Sequence, residues 1–333
     1  MKERNNKIDF IKGLAILLVI WGHCIQYFNN KELDFFLNPI FIFIYSFHMP
    51  LFMSISGFLF FNSVSRSKKS MKIINNKIKQ IVIPIISWSS GYYILTNILI
   101  GKKFDFLELI ISYISGFWFL YTLFILSMIV VIIHYFFYDK IIIYMIVGVL
   151  LLFFPEKFNF VYIKFMYPYF ILGYFFNKYS FKLKKSIDSL GLICIILFLC
   201  LLLGWQKDFY IYTTGMSLYV ENITYKLIII LYRFITGLVG SISIIYIMYK
   251  LYIKNKITTI IEYVGKLTMG IYIIQTYIFK LIYRISIPDI FTFNMLIYNF
   301  ILTPILGIFI VFFCINIIKI LQKNKYFKSL FLG

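Results

Sequence analysis

The sequence predicts an all-α, polytopic membrane protein: a bundle of about ten transmembrane helices with both termini cytoplasmic. Three observations lead there. Of the 333 residues, 62% are hydrophobic and only 14% charged, with a mean hydropathy of +0.89. A soluble domain of this size cannot hide so much apolar surface, because about half the residues of an ordinary globular protein are apolar. The apolar residues fall into repeated runs of membrane-spanning length. Lysine and arginine are divided unequally between alternate loops.

In chain order the predicted spans are 8–28, 38–62, 81–100, 108–137, 140–154, 160–177, 187–205, 223–250, 263–285 and 293–321. The apolar run after Met1–Lys7 is too long for a signal-peptide core and no small-residue cleavage site follows it, so it is read as a retained helix. The fifth and sixth spans are short and separated by Pro155-Glu156-Lys157, which reads as half-spans or interrupted helices. The loops are short, with no soluble domain and no internal repeat. One transmembrane domain over 1–333 is therefore expected, although length alone suggests two.

With the N-terminus inside, 22 of the 33 Lys and Arg residues fall on the cytoplasmic side and 9 on the outer side. Lys12 and Arg233 lie within spans. That asymmetry orients the bundle. It also accounts for the net charge of +20 without nucleic acid as a partner. The 13 acids are scattered, so no metal-type carboxylate cluster is expected. Cys24, Cys194, Cys200 and Cys314 all sit in apolar runs, unpaired in spacing, and are expected to be buried packing residues.

Ionisable groups inside a bilayer raise a functional hypothesis by default. In "DFIKGLAILLVIWGHCIQYF", Lys12 and His23 are eleven residues apart. At about 100° per residue that leaves about 20° after three turns, so both lie on one helix face, about 16 Å apart along the axis. Snorkelling is the plain reading of Lys12 alone, and an interhelical hydrogen bond that of His23. The shared face favours a polar cavity with a cation at its inner mouth. In "FHMPLFMSISGFLF", Pro50 is expected to kink or break the helix beside His48, while Ser54, Ser56 and Gly57 permit close approach by a helix or a ligand. Arg233, mid-span in "LYRFITGLVGS", must face the interior and meet an anionic or carbonyl partner, from the protein or a ligand. His134 lies near the cytoplasmic end of its span. The stretch "RSKKSMKIINNKIKQIVIP" either anchors a loop inside or receives a phosphorylated cytosolic ligand.

"IDFIKGLAILLVIWGH", "FHMPLFMSISGFLF", "KIKQIVIP", "FWFLYTLF", "YPYFILGYFF" and "GKLTMGIYIIQ" occur in that order over nearly the whole chain. Together they resemble the membrane-bound acyltransferase family 3. The lysine-glycine form of the first motif is similar to its fucose 4-O-acetylase-like branch. The resemblance implies a transferase that moves an acyl group, usually acetyl, from cytosolic acetyl-CoA to a hydroxyl of a cell-surface polysaccharide or its lipid-linked precursor. It implies His23 as the catalytic residue and Lys12 as the donor-binding cation. His48 and Ser56 carry over as cavity residues, and Trp118 matches the family's "WFL" aromatic. Where the family often has two arginines before the proline after the basic loop, this chain has Lys77 and Gln80. Where it often has a histidine, this chain has Gln275, which can position but cannot take a proton at neutral pH.

These readings combine into one expected mechanism. Lys12 and part of the Lys72–Lys79 cluster hold the CoA headgroup at the inner face. His23 acts as general base on the acceptor hydroxyl, or carries the acyl group covalently. His48 or a backbone donor stabilises the oxyanion. Acetyl-CoA is a substrate, and no bound cofactor is expected. The expected surroundings are the lipid bilayer of a bacterial cytoplasmic membrane, with a homo-oligomer compatible. The alternative reading is a glycan exporter or flippase without acyl-transfer chemistry. It accounts less well for the Lys12/His23 pair. A sensory or scaffolding role accounts for it least.

Overall fold

The structure, a computed structural model, describes residues 5–28, 34–67, 69–101, 103–183, 187–218, 222–285 and 294–333. Lys2, Arg4, Lys31, Lys68, Lys102, Lys184, Lys185 and the side chains of Lys182 and Arg284, all in the charge count, lie outside the described residues, as does residue 293 of the tenth predicted span. The described chain is helical, with no strand. It divides into two compact units, each assembled from separate stretches of sequence.

The first unit comprises Met1–Phe52, Ser186–Lys207 and Thr236–Lys323. Helix α1 is Asn6–Tyr27; Asn5 caps it by accepting from the amides of Lys7 and Ile8, and Asp9 sits in its first turn, where a carboxylate complements the helix dipole. Helix α2, Pro39–Arg66, is capped by Asn38 and belongs to this unit up to Phe52. It runs unbroken through Pro50, so of the expected kink or break no break occurs.

The second unit comprises Met53–Lys185, Asp208–Ile235 and Asn324–Gly333. After α2 come α3 (Ser70–Lys77), a π-helical turn at Ile78–Val82 and α4 (Ile83–Ile100). Pro84 has no N–H for the carbonyl four residues back, and the π turn ends two residues before it. The predicted span 108–137 is instead two helices, α5 (Phe106–Ser115) and α6 (Trp118–Phe137). Asp105 caps α5, and Phe117 takes a non-helical conformation with its ring fully buried, which fixes the break after Gly116. Helices α7 (Ile141–Phe153) and α8 (Phe160–Leu183) follow.

Within the second unit, α2 meets α8 backbone to backbone at two glycines. A Cβ on Gly57 would lie 2.0 Å from the Phe170 carbonyl oxygen, and one on Gly173 would lie 2.0 Å from that of Ser54. The small residues of "SISG" thus serve helix packing, one of the two readings open from the sequence.

The chain then gives α9 (Ile187–Leu203) to the first unit and a short α10 (Ile211–Thr214) to the second. Helix α11 (Ile223–Lys250) belongs to the second unit up to Ile235 and to the first from Thr236. Helices α12 (Lys256–Lys266) and α13 (Thr268–Ile285) are bent by 73° at Leu267. The first unit continues with α14 (Met295–Ile297), a π turn at Tyr298–Leu302 and α15 (Thr303–Lys323); α16 (Lys325–Phe331) returns to the second.

In the first unit α1 packs on α12, α13 and α15. Its contact with α12 is again glycine against backbone: a Cβ on Gly265 would lie 1.7 Å from the Asp9 carbonyl oxygen, and one on Gly13 would lie 2.1 Å from that of Ile261. These glycines sit in the "IDFIKG" and "GKLTMG" motifs. The far end of α1 is tied down where Trp21 donates to the Asn299 carbonyl at 3.1 Å and to Thr303 Oγ1 at 3.0 Å.

Six described helices are long and apolar enough to cross a membrane: Asn6–Tyr27, Pro39–Arg66, Ser70–Ile98, Trp118–Phe137, Ile223–Lys250 and Met295–Lys323. The bent pair α12–α13 passes the same test as a unit. Phe106–Ser115, Ile141–Phe153 and Leu190–Leu203 are shorter apolar helices. A multi-pass membrane protein follows. Of the cysteines, Cys24 and Cys314 are buried as expected, but Cys194 is only partly so and Cys200 is exposed. Cys200 lies on α9, whose exposed surface is apolar, including Ile196, Leu199 and Leu203.

Candidate active site

The sequence-predicted site residues fall in both units. Lys12, His23 and His48 belong to the first; Ser56, Lys77, Trp118 and Arg233 belong to the second.

In the first unit, α1 is continuous from Asn6 to Tyr27, so the helical phase relating Lys12 to His23 is preserved. Lys12 Nζ lies 3.1 Å from Asp9 Oδ1, one turn earlier, and Asp9 is buried. Sequence reasoning missed Asp9, although the i, i+3 spacing in "DFIK" was a readable signal.

His23 stands among aromatic rings. Phe279 of α13 is 5.3 Å away between centroids, Tyr27 6.0 Å and Tyr45 of α2 6.0 Å. Tyr45 is itself stacked on Phe41 at 3.7 Å. Its hydroxyl lies 2.8 Å from His23 Nδ1 and donates to Gln26 Oε1 at 3.0 Å. Nδ1 also lies 3.5 Å from Gln26 Oε1. Gly22 makes room for this arrangement, because a Cβ there would come within 2.8 Å of the Tyr45 ring. Neither Tyr45 nor Gln26 was singled out from the sequence. Gln26 is one turn from His23 on the same helix, but Tyr45 meets it only when α1 packs on α2.

His48 is buried, its ring 4.5 Å from that of Tyr45. Its Nδ1 lies 2.9 Å from the Ile44 carbonyl oxygen, which can only accept, so Nδ1 carries a proton. A neutral His48 therefore presents a lone pair at Nε2, and donating to an oxyanion requires its imidazolium form. Gln275, one turn before Phe279 on α13, is also buried. Its amide nitrogen donates to the Tyr272 carbonyl and to Thr276 Oγ1, both at 3.3 Å. Its Oε1 has no hydrogen-bond partner among the described residues, and a buried acceptor left so is rare in a native protein.

In the second unit, Lys77 lines a cavity of about 280 Å³ with Arg66, Lys72 and the amides of Asn62, Asn76 and Gln80. Three cations converge there, and no carboxylate is in the described lining. The Lys77 ammonium also lies 4.9 Å from the centre of the Phe60 ring. Such a cleft suits a phosphate-bearing ligand. Ser56 is half-buried on α2, one residue before the Gly57 contact. Trp118 stacks on Tyr162 at 4.1 Å, and Tyr162 meets Tyr212 at 6.2 Å.

Arg233 has carbonyl partners from the protein. Its Nε donates to the Phe209 carbonyl at 2.8 Å and one terminal nitrogen to that of Gly215 at 2.9 Å. The other reaches the carbonyls of Asp208 and Tyr210 and Thr214 Oγ1. The buried guanidinium thus organises the turn at 208–215, which carries Tyr212. His134, on the same unit, bonds Asp139 at 2.9 Å, and Asp139 also accepts from Lys178, Tyr144 and Tyr174.

Comparison with known proteins adds to this geometry. The family model for the acyltransferase domain, acyltransferase 3, matches residues 5–319. The nodulation protein NolL of Mesorhizobium japonicum is 25% identical over 345 residues, covering 99% of this chain and 91% of that protein. NolL of Sinorhizobium fredii is 25% identical over 223 residues, covering 63% of this chain and 60% of the relative. No solved structure matches the chain. The matched span takes in both units, and with them the Lys12/His23 helix and the basic cleft, so the chain belongs to the acyltransferase-3 family.

Proposed function

We propose that this membrane acyltransferase moves an acetyl or similar acyl group from cytosolic acetyl-CoA to a hydroxyl of a cell-surface glycan or its lipid-linked precursor, across the bacterial cytoplasmic membrane. The observation that carries the proposal is His23: a histidine on a membrane-length helix, in phase with Lys12, with its Nδ1 engaged by Tyr45. Membership of the acyltransferase-3 family supplies the reaction class.

Donor phosphates are met by cations, with Lys12 and the Arg66–Lys72–Lys77 cleft as the candidates. His23 Nε2 takes the proton of the acceptor hydroxyl as its oxygen attacks the thioester carbonyl. The tetrahedral intermediate then expels the CoA thiolate, which recovers that proton from Nε2. An O-acyl ester and free CoA result, and the imidazole is neutral again. Ser56, His48 and Trp118 contribute to binding substrate. Arg233 serves binding by holding the 208–215 turn in shape. Acetyl-CoA is consumed as a substrate and no bound cofactor takes part.

The test is transfer of labelled acetyl from acetyl-CoA to glycan in proteoliposomes, paired with NMR of O-acetyl signals in cells. His23→Ala should remove transfer while the protein accumulates at its normal level. Transfer at the wild-type rate by that variant, or a glycan unchanged on deletion of the protein, overturns the proposal.

A further inference from the structure

We propose that Tyr45 and Gln26 are positioning residues that fix the tautomer of His23, holding a proton on Nδ1 and leaving Nε2 with the lone pair. The inference rests on His23 being the base.

Proton counting carries it. Gln26 Oε1 can only accept. Tyr45 has one hydroxyl proton, and its bond to Gln26 Oε1 at 3.0 Å uses it. The 2.8 Å contact between Tyr45 Oη and His23 Nδ1 then needs its proton from Nδ1. The 3.5 Å approach of Nδ1 to the same amide oxygen asks for the same assignment. With the Gln26 amide placed Oε1 toward Tyr45, every bond in the triangle is satisfied by one arrangement: Nδ1–H to Tyr45 Oη, and Tyr45 O–H to Gln26 Oε1. The bond one ring nitrogen makes decides which nitrogen bears the proton.

The consequence for the reaction is direct. The atom that abstracts the hydroxyl proton must carry a lone pair, and in this tautomer that atom is Nε2. When Nε2 takes the proton, the ring becomes cationic, and its Nδ1–H bond to the Tyr45 oxygen strengthens. Packing holds the Tyr45 hydroxyl in place. The Tyr45 ring is stacked on Phe41, and the missing side chain at Gly22 lets it approach α1. The opposite tautomer would place a lone pair at Nδ1 facing the Gln26 amide oxygen.

The experiment combines nitrogen NMR with kinetics on the full chain in proteoliposomes, acetyl-CoA being the donor. The chain has three histidines, so ¹⁵N-histidine signals are assigned by substituting each in turn. Wild type is expected to show His23 protonated at Nδ1 and bare at Nε2 near neutral pH. Tyr45→Phe keeps the ring but removes the hydroxyl. It should lower kcat about 10- to 100-fold, the effect of losing one hydrogen bond to the ring as it becomes charged, with both KM values within about twofold. Gln26→Leu should do the same, while Gln26→Glu, which keeps the acceptor, should retain activity to within a few-fold and raise the kinetic pKa of the base. Gln26→Leu leaves the Tyr45–Phe41 stack intact and carries the test where Tyr45→Phe does not accumulate. A wild-type His23 protonated at Nε2 overturns the proposal. So do wild-type kcat values in both Tyr45→Phe and Gln26→Leu while His23→Ala is dead, which leaves the base reading standing. An active His23→Ala overturns both.

Discussion

Lys12 is one member of an ion pair. Its partner Asp9 is buried, and a cation one turn away keeps that carboxylate compensated. Lys12→Ala should therefore have two measurable effects. On the proposed donor-binding role, losing one charge-assisted contact of about 1.5 kcal/mol should raise the KM for acetyl-CoA about tenfold and leave the acceptor KM nearly unchanged. Loss of the Lys12 contact to the buried Asp9 should also lower the melting temperature in detergent. Lys12→Arg, which keeps the charge, should recover most of both. Equal changes in the two KM values would remove Lys12 from donor binding. Arg233 teaches the same lesson: its polar partner was predictable from its depth, but that the partner is a nest of main-chain carbonyls at 208–215 was not.

At the scale of elements, the motif glycines matter as contact points. Gly265→Ala places a methyl group against the Asp9 backbone, which cannot move aside like a side-chain tip. About 1–3 kcal/mol of destabilisation is expected, read as a lower melting temperature. Gly91, inside α4 with nothing within 4 Å of an added Cβ, is the contrast: Gly91→Ala should be neutral or stabilising by up to about 1 kcal/mol. The α6–α7 joint offers a pH signature. Burial pushes the Asp139 carboxyl up, but the bonds from His134, Tyr144 and Lys178 outweigh it and hold the pKa below the ordinary 3.8. A depressed carboxylate contributes stability in full above the unfolded pKa and loses it as pH falls through the folded value. The stability gap between wild type and Asp139→Asn should thus be full at pH 7 and close below about pH 4 in acid titrations. A gap that persists at pH 2 would show that Asp139 acts through packing alone.

For the whole molecule, the unequal lysine and arginine distribution predicts both termini in the cytoplasm. Reporter fusions at each end check this: a reporter active only outside the membrane should be silent at both, and an active C-terminal fusion would mean an odd number of crossings. The helical class was legible throughout, because hydropathy accumulates over every run. The number of crossings was less legible. Span 108–137 reads as one apolar run, yet Phe117 leaves the helix after Gly116 to bury its ring. Pro50, where the sequence predicts a kink or a break, lies inside a continuous helix. At Phe117 burial of the ring overrode a local helical preference worth only about 1 kcal/mol per residue.

The sequence by itself determined the helical membrane class, the phase of Lys12 with His23 and the resemblance to the acyltransferase-3 family. All three follow from periodicity, composition or motif order, which are properties of neighbouring residues. Only the tertiary structure decided what surrounds those groups: Tyr45 on His23 from 22 positions away, Asp9 buried against α12, and the loop carbonyls on Arg233. Those partners are set by which helix faces meet, and backbone contact at Gly13, Gly57, Gly173 and Gly265, with the Tyr45 ring against Gly22, sets how closely they do. A helical pattern places a side chain on a face; packing decides what that face touches and, at His23, which nitrogen holds the proton.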